Sequence, residues 1–212
     1  MCTGSVDLSF VLRAFSQGAD GVFLGGCQFN DCNYGTQGNY HALNMVLLCK
    51  KIMEHIGLNP ERLRMETMSA GDGILFADLM SDIGKQVKEL GPLGKGEGID
   101  ENVLKFRLQA VVDIVPYIRL VERERMRLPV QSKEVYYNFF SSDEFSKLFK
   151  ETVVEKLAIS QIISLLREGP HTIEEISKVI NLTISEVLRL LVISSRQRLV
   201  RYDVGLKRYA LA

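Results

Sequence analysis

The sequence predicts an α/β fold, a parallel sheet with crossover helices, followed by a helical connecting region and a small winged helix-turn-helix. Three observations predict it. In residues 1–92, stretches with helically spaced apolar residues alternate with short apolar runs bounded by glycine and polar turns. That is the pattern of strands joined through helices. Residues 91–98, GPLGKGEG, hold four of the chain's 17 glycines and mark a linker. Residues 155–212 read as three helices and then two short strands around a turn, the order of a winged helix-turn-helix. The expected units are therefore 1–92, a helical connecting region 93–154, and 155–212.

Taken in order, VDLSFVLRAFSQG places Val6, Phe10, Val11 and Ala14 on one helical face and stops at Gly18. GVFLGG is a short apolar run between glycines, a buried strand. GNYHALNMVLLCKKIMEHIG carries Leu43, Val46, Leu47, Ile52 and Ile56 on a helical stripe and ends at Gly57. LRMETMS alternates Leu63, Met65 and Thr67 as a strand does, and GDGILFADLMSDIGKQVKELG is a helix closing at Gly91. Residues 100–128 form a charged helical stretch that Pro116 kinks or divides. Residues 134–149 hold six tyrosines and phenylalanines, favouring a helix packed on its neighbours over an exposed docking segment. In the last unit, Thr172 with Glu175 and Thr183 with Glu186 have capping-box spacing ahead of apolar runs.

Composition removes several function classes. The chain has 212 residues, 46% of them hydrophobic, enough for one or two cores. Its 26 basic and 26 acidic side chains balance, so charge selects neither nucleic acid nor an anionic membrane. No apolar run approaches the roughly 20 residues that span a bilayer. The start, MCTGSVDLSF, lacks the basic and long apolar regions of a signal peptide. The expectation is a cytoplasmic protein with no membrane partner. In a reducing compartment, clustered cysteines favour metal binding or redox chemistry over structural disulfides.

The chemistry sits in LGGCQFNDCNY, residues 24–34. Cys27 and Cys32 form a Cys-x4-Cys pair in a turn directly after the apolar strand. In parallel sheets, sites lie beyond the carboxyl ends of strands. A 2Fe–2S cluster takes four protein ligands, and plant-type ferredoxins open with the same spacing. Gly25 and Gly26 allow a close backbone approach to sulfur. Cys2 adds a third thiol, placed as if at the end of a neighbouring strand that is itself absent. Other readings stay open: small hydrophobes in a loop, or a disulfide or redox-sensing pair. The last needs a low thiolate pKa, and no Lys, Arg or His lies within four residues of either thiol. Cys49, in VLLCKK, reads as a buried small hydrophobe. His41, His55 and His171 lack metal-ligand spacing to one another, and no phosphate loop of the G-x-x-x-x-G-K-[ST] type is present.

MCTGSVD, GADGVFLGGCQFNDCNY, GNYHA and SAGDG, in this order and spacing, resemble the delta subunit of methyl-viologen-reducing hydrogenase. This is the iron–sulfur subunit found with heterodisulfide reductase-type complexes. The resemblance spans about residues 1–92. It implies a flavodoxin-like sheet carrying a 2Fe–2S cluster, with Cys2, Cys27 and Cys32 on the family's cysteine positions. It also implies electron relay between a hydrogenase or other dehydrogenase and the flavin of a heterodisulfide reductase A-type flavoprotein. Family members often have histidine where this chain has Gln28 and Asn33, positions that supply no thiolate. They also begin with a further strand and turn of the form Cys-Asn-Trp-Cys, so here the sheet's first strand is missing and the cluster incomplete. Three readings stay open: a fragment, a reading frame started too late, or a lost cluster. The late start is favoured because Met1 sits where the family has an internal residue. Some relatives carry selenocysteine in that upstream turn, and its codon reads as a stop.

The winged helix offers a rival function, a redox-responsive DNA-binding regulator. Its candidate recognition helix, residues 183–197, carries Arg189, Arg196 and Gln197 but also Glu186, and residues 155–212 hold nine Lys and Arg against six Asp and Glu. That mild excess falls short of a basic footprint, so protein docking is favoured over nucleic acid. The late-start expectation has a direct check. Translating the DNA upstream of Met1 is expected to give, within about 50 residues, an in-frame strand and turn containing Cys or selenocysteine. A frame without one overturns it.

Overall fold

The structure is a computed structural model that describes residues 2–34, 38–130 and 132–212. The chain divides into two compact units, Met1–Lys147 and Leu148–Ala212. It is mostly helical, with a two-stranded parallel sheet in the first unit and an antiparallel hairpin in the second.

Helix α1 (Leu8–Ser16) starts at Asp7, whose carboxylate accepts the Ser9 N–H at 2.9 Å. Its inward face is Leu8, Val11, Leu12 and Phe15, all buried, whereas Phe10 is exposed. The expected face through Phe10 and Ala14 is thus rotated. A helix beginning at Leu8 aligns 8, 11, 12 and 15 into one continuous stripe, and that stripe wins because it buries four large side chains. Strands β1 (Val22–Gly26) and β2 (Leu63–Thr67) pair in parallel, Val22 with Leu63 through Gly26 with Thr67. Helix α2 (Asn39–Ile56) makes the crossover between them. It is buried on most sides, packs on α1 and β2, and ends at Gly57, whose φ of 91° only glycine adopts freely.

Helix α3 (Gly73–Leu90) follows β2 and stops at Gly91. The next segment, a linker by its composition, is instead fastened into the first unit by Arg62. That guanidinium, 1% exposed, donates to both Glu97 carboxylate oxygens at 2.6 and 3.1 Å. It also donates to the backbone carbonyls of Asp20, Gly91 and Leu90 at 2.9, 2.9 and 3.1 Å. Glu97 accepts the backbone N–H groups of Asn59 and Gly94 as well. Helix α4 (Glu101–Asp113) starts at Asp100, and α5 (Val115–Arg125) has Pro116 in its first turn. The proline therefore divides the long helix. It lacks an N–H, so the new helix starts where none is needed. Helices α6 (Lys133–Phe140) and α7 (Asp143–Phe149) bring Phe140 and Phe145 together at 4.5 Å and bury Tyr136.

In the second unit, a π-helical turn (Lys150–Val154) leads into α8 (Glu155–Glu168). Helices α9 (Ile173–Ile180) and α10 (Ile184–Arg196) follow, each opened by a complete capping box, Thr172 with Glu175 and Thr183 with Glu186. Strands β3 (Val200–Asp203) and β4 (Arg208–Leu211) close the unit as a hairpin, and His171 exchanges backbone hydrogen bonds with Tyr209. Arg208 grips both oxygens of Glu175 at 2.9 and 3.1 Å, tying β4 to the start of α9. Leu157, Ile162, Ile176, Val187, Leu191 and Val200 form the core. No helix among the described residues is long and apolar enough to cross a membrane.

The Arg62–Glu97 pair sets a measurable pH dependence. Burial raises the Glu97 pKa, but hydrogen bonds from Arg62, Asn59 and Gly94 and the Arg62 charge outweigh it and hold the carboxyl below its ordinary 4.5. A depressed carboxyl stabilises the fold above its unfolded-state pKa and loses that contribution as pH falls through the folded value. Denaturant titration of Arg62→Met is expected to show a loss of about 3–5 kcal/mol near neutrality. The gap to the parent chain should narrow as pH falls into the carboxyl range, where protonation of Glu97 relieves the unpaired charge in the variant and removes the ion pair in the parent.

Candidate metal centre

The carboxyl ends of β1 and β2 open into a cleft of about 560 Å³ whose walls include Cys2, Gly26, Cys27, Met68, Asp72 and Phe76. Two segments line it with sulfur, and a third brings Cys32 against them. Cys2 precedes a 3-10 turn (Thr3–Ser5) that packs on β1, and the Thr3 hydroxyl donates to the Gly25 carbonyl at 2.9 Å. Cys27 is the first residue past β1. Cys32 follows a second 3-10 turn (Phe29–Asp31). Cys27 is exposed, and Cys2 and Cys32 are half-buried.

Two glycines show how closely these parts approach. A Cβ on Gly26 would lie 3.0 Å from the Thr3 hydroxyl and 3.1 Å from Asn39 Oδ1. A Cβ on Gly38 would overlap the Cys32 sulfur and lie 3.2 Å from the Cys2 sulfur. Cys2 and Cys32, thirty residues apart in the chain, therefore meet at the same point before α2. Asn39, the first residue of α2 and 1% exposed, closes the arrangement. Its amide donates to the Cys27 carbonyl and approaches the Cys27 sulfur at 3.5 Å. The loop is anchored to β2 as well. Gln28 Nε2 donates to the Thr67 carbonyl at 3.3 Å, and the Thr67 hydroxyl donates to Gln28 Oε1 at 3.1 Å. On its other side Phe29 meets Tyr40 at 4.8 Å, Tyr40 stacks on Tyr136 at 5.9 Å, and Lys133 sits 4.5 Å above the Phe29 ring.

The thiols differ electrically. For Cys32, burial raises the pKa, but the N–H groups of Asn39 and Tyr34 and the thiols of Cys27 and Cys2 hydrogen-bond to it and bring it below 9.0. A sulfur at the start of an 18-residue helix also gains from the aligned peptide dipoles. For Cys27, burial raises the pKa, and the neighbouring Cys32 adds to this by hydrogen bond and charge, against a lowering from Asn39. Cys32 therefore ionises first and Cys27 offers it a proton. The absent basic neighbours do not decide the matter, because backbone N–H groups supply the stabilisation. Cys49 is apart from this: buried in α2, its thiol is pushed up to about 12 and is inert. His41 faces Arg127 rather than a sulfur, at 3.2 Å between Nε2 and Nη2.

Chemically the cleft and its margin offer three sulfur donors, the Cys32 thiol shifted down and the Cys27 thiol shifted up. Among the described residues no group of three or more Cys, His, Asp or Glu side chains is placed so that it could hold a metal ion. Thr3, Gln28, Gly38 and Asn39 shape the site; the sequence marks Gln28 as a position where relatives carry histidine and Gly38 and Asn39 within GNYHA, but gives none of the four a contact there. The available signal for Asn39 is its place one residue after a glycine at a helix start.

Residues 1–91 match the family described as methyl-viologen-reducing hydrogenase, delta subunit. The F420-non-reducing hydrogenase iron-sulfur subunit of Archaeoglobus profundus is 41% identical over 91 residues, which are 43% of this chain and 66% of that protein. The vhu iron-sulfur subunit of Methanopyrus kandleri is 35% identical over 92 residues, 43% of this chain and 69% of that protein. The A chain of the ferredoxin:CoB-CoM heterodisulfide reductase of Methanosarcina mazei is 38% identical over 94 residues, 44% of this chain and 12% of that one. The chain thus spans about two thirds of the length of the hydrogenase subunits it matches. It belongs to the delta, or iron–sulfur, subunit family of these hydrogenases.

The site geometry carries its own test. Asn39→Ala leaves the Cys27 carbonyl without its buried donor and is expected to cost about 1–3 kcal/mol, read by urea unfolding. In native-state alkylation of the parent chain, Cys49 is expected to stay unlabelled until the chain unfolds.

Proposed function

We propose that this chain is an electron-transfer subunit in which Cys2, Cys27 and Cys32 hold a 2Fe–2S cluster. It relays electrons between a hydrogenase or other dehydrogenase and the flavin of a heterodisulfide reductase A-type flavoprotein. The observation that carries this reading is the meeting of three sulfurs, from three separate segments, at the carboxyl end of one sheet. The names of the relatives support it: iron–sulfur subunits of hydrogenases, and heterodisulfide reductase chains in which the similar stretch is a small part of a longer protein.

The donor set suits such a cluster in kind and supplies three of the four protein ligands that two irons take; the fourth is a donor outside these three. When bound, the cluster takes up and releases single electrons without any group transfer. The chain's own work is positioning and tuning. N–H groups from Tyr34 and Asn39 directed at the Cys32 sulfur, and the Asn39 amide at Cys27, favour added negative charge and so raise the reduction potential. The exposed Cys27 edge of the cleft is the side from which a partner's cofactor approaches. No acid–base residue is required. In this reading the first unit is part of a flavodoxin-like sheet, the second a winged helix-turn-helix, and the protein cytoplasmic.

Iron and acid-labile sulfide analysis after anaerobic reconstitution tests it. The full chain is expected to bind both and to show visible absorption. Cys27→Ser and Cys32→Ser abolish or alter that absorption and stop electron flow, Gly38→Ala weakens binding by displacing two sulfurs, and Cys49→Ser changes nothing. Unchanged reconstitution and unchanged electron flow in Cys27→Ser defeat the assignment.

A further inference from the structure

Between α2, the end of α5 and α6 lies a cavity of about 180 Å³ that the cysteine cleft does not use. Its walls are His41, Asn44, Glu122, Arg123, Arg127 and Tyr136. At roughly 30 Å³ for each water molecule, it has room for about six non-hydrogen atoms.

Asn44 shows what the inner end lacks. The side chain is 5% exposed. Its Nδ2 donates to Glu122 Oε1 at 3.0 Å, whereas its Oδ1 is buried and accepts from no group of the described residues. A buried oxygen left unpaired is costly, so the place favours an occupant that donates. Glu122 makes the same demand. Burial raises its pKa above 4.5 and Asp7 adds to the rise, while the Asn44 N–H and the Arg119 and Arg127 charges offset only part of it. Asp7 and Arg119 pair with each other at 2.9 Å. A carboxylate and an amide oxygen, both short of donors, are an acceptor pair suited to an ammonium group.

The mouth has the opposite sign. Arg123 and Arg127 are exposed there. Arg127 Nη2 lies 3.2 Å from His41 Nε2, and burial together with the Arg127 charge holds His41 below 6.5. The uncharged ring accepts from Arg127 without neutralising it, and no carboxylate among the described residues forms an ion pair with that guanidinium. A guanidinium in this state takes a carboxylate by paired N–H groups. A bare cation would pass two guanidinium groups on its way in, and a bare anion would meet Glu122. A molecule with an ammonium at one end and a carboxylate at the other satisfies both ends.

We propose that this cavity binds a small α-amino acid as its zwitterion. The ammonium donates to Glu122 and to Asn44 Oδ1, and the carboxylate accepts from Arg127. Tyr136, 2% exposed, closes the inner wall. The proposal stands on α2, α5 and α6 and does not depend on a cluster at the cysteines.

Isothermal titration calorimetry of the full chain with glycine and with L-alanine, to about 10 mM ligand, reads it directly. Both are expected to bind saturably at one site per chain. Methylammonium keeps only the cation and acetate only the anion, and each is expected to bind at least about tenfold more weakly, having lost one charge-assisted contact. Glu122→Gln keeps the shape and removes the charge, and it is expected to weaken glycine by a similar factor. Arg127→Ala does the same at an exposed position that the fold does not need. Glu101→Gln, exposed on α4, binds as the parent does. Absence of saturable heat with both amino acids overturns the proposal. So does acetate or methylammonium binding as tightly as glycine, or parent-like affinity in Glu122→Gln and Arg127→Ala.

Discussion

The first unit depends on one buried cation. Arg62 lies just before β2 with essentially no solvent contact, and a charge in that position survives only if every donor is satisfied. Glu97 supplies the countercharge, and carbonyls from the turn before β1 and from the end of α3 take the remaining N–H groups. One side chain thus fixes the entry to both strands and folds a glycine-rich segment back onto them. With the amino ends of β1 and β2 fixed, their register from Val22–Leu63 to Gly26–Thr67 follows, and so does the height at which Cys27 leaves the sheet.

The cysteine cleft shows what that precision allows. Its parts come from the 3-10 turn after Cys2, the loop after β1 and the first residue of α2, and they meet at distances that leave no room for a Cβ at Gly38. The start of α2 acts twice, through the Asn39 backbone N–H on Cys32 and through its buried side chain on Cys27. Helix amides at a terminus have no intrahelical partner, so they are free to stabilise a thiolate. That arrangement shifts two neighbouring thiols in opposite directions, Cys32 down and Cys27 up.

The second unit is built differently, from local rules applied repeatedly. Two capping boxes start two consecutive helices, and Arg208 joins the hairpin to the first of them through Glu175, a residue already used in the cap. Because each helix start is set by its own side chains, the inward and outward faces of α10 are set as well. The aliphatic residues left outside are therefore a consequence of the fold and not a misplaced core.

The sequence by itself determined the order of elements, both strands of the parallel pair, the glycine stops at 57 and 91, a break at Pro116 (a kink or a division) and both capping boxes. All of these rest on contacts within a few residues, where side-chain type acts directly on the backbone. Sequence also named the three cysteines. Only the tertiary structure decided that residues 91–98 are held down by Arg62, that α1 turns Phe10 outward, and that Gly38 and Asn39 belong to the sulfur cleft. Those outcomes depend on partners dozens of residues away. A glycine-rich run has the same composition whether it is free or pinned, and a thiol's ionisation depends on which N–H groups folding aims at it.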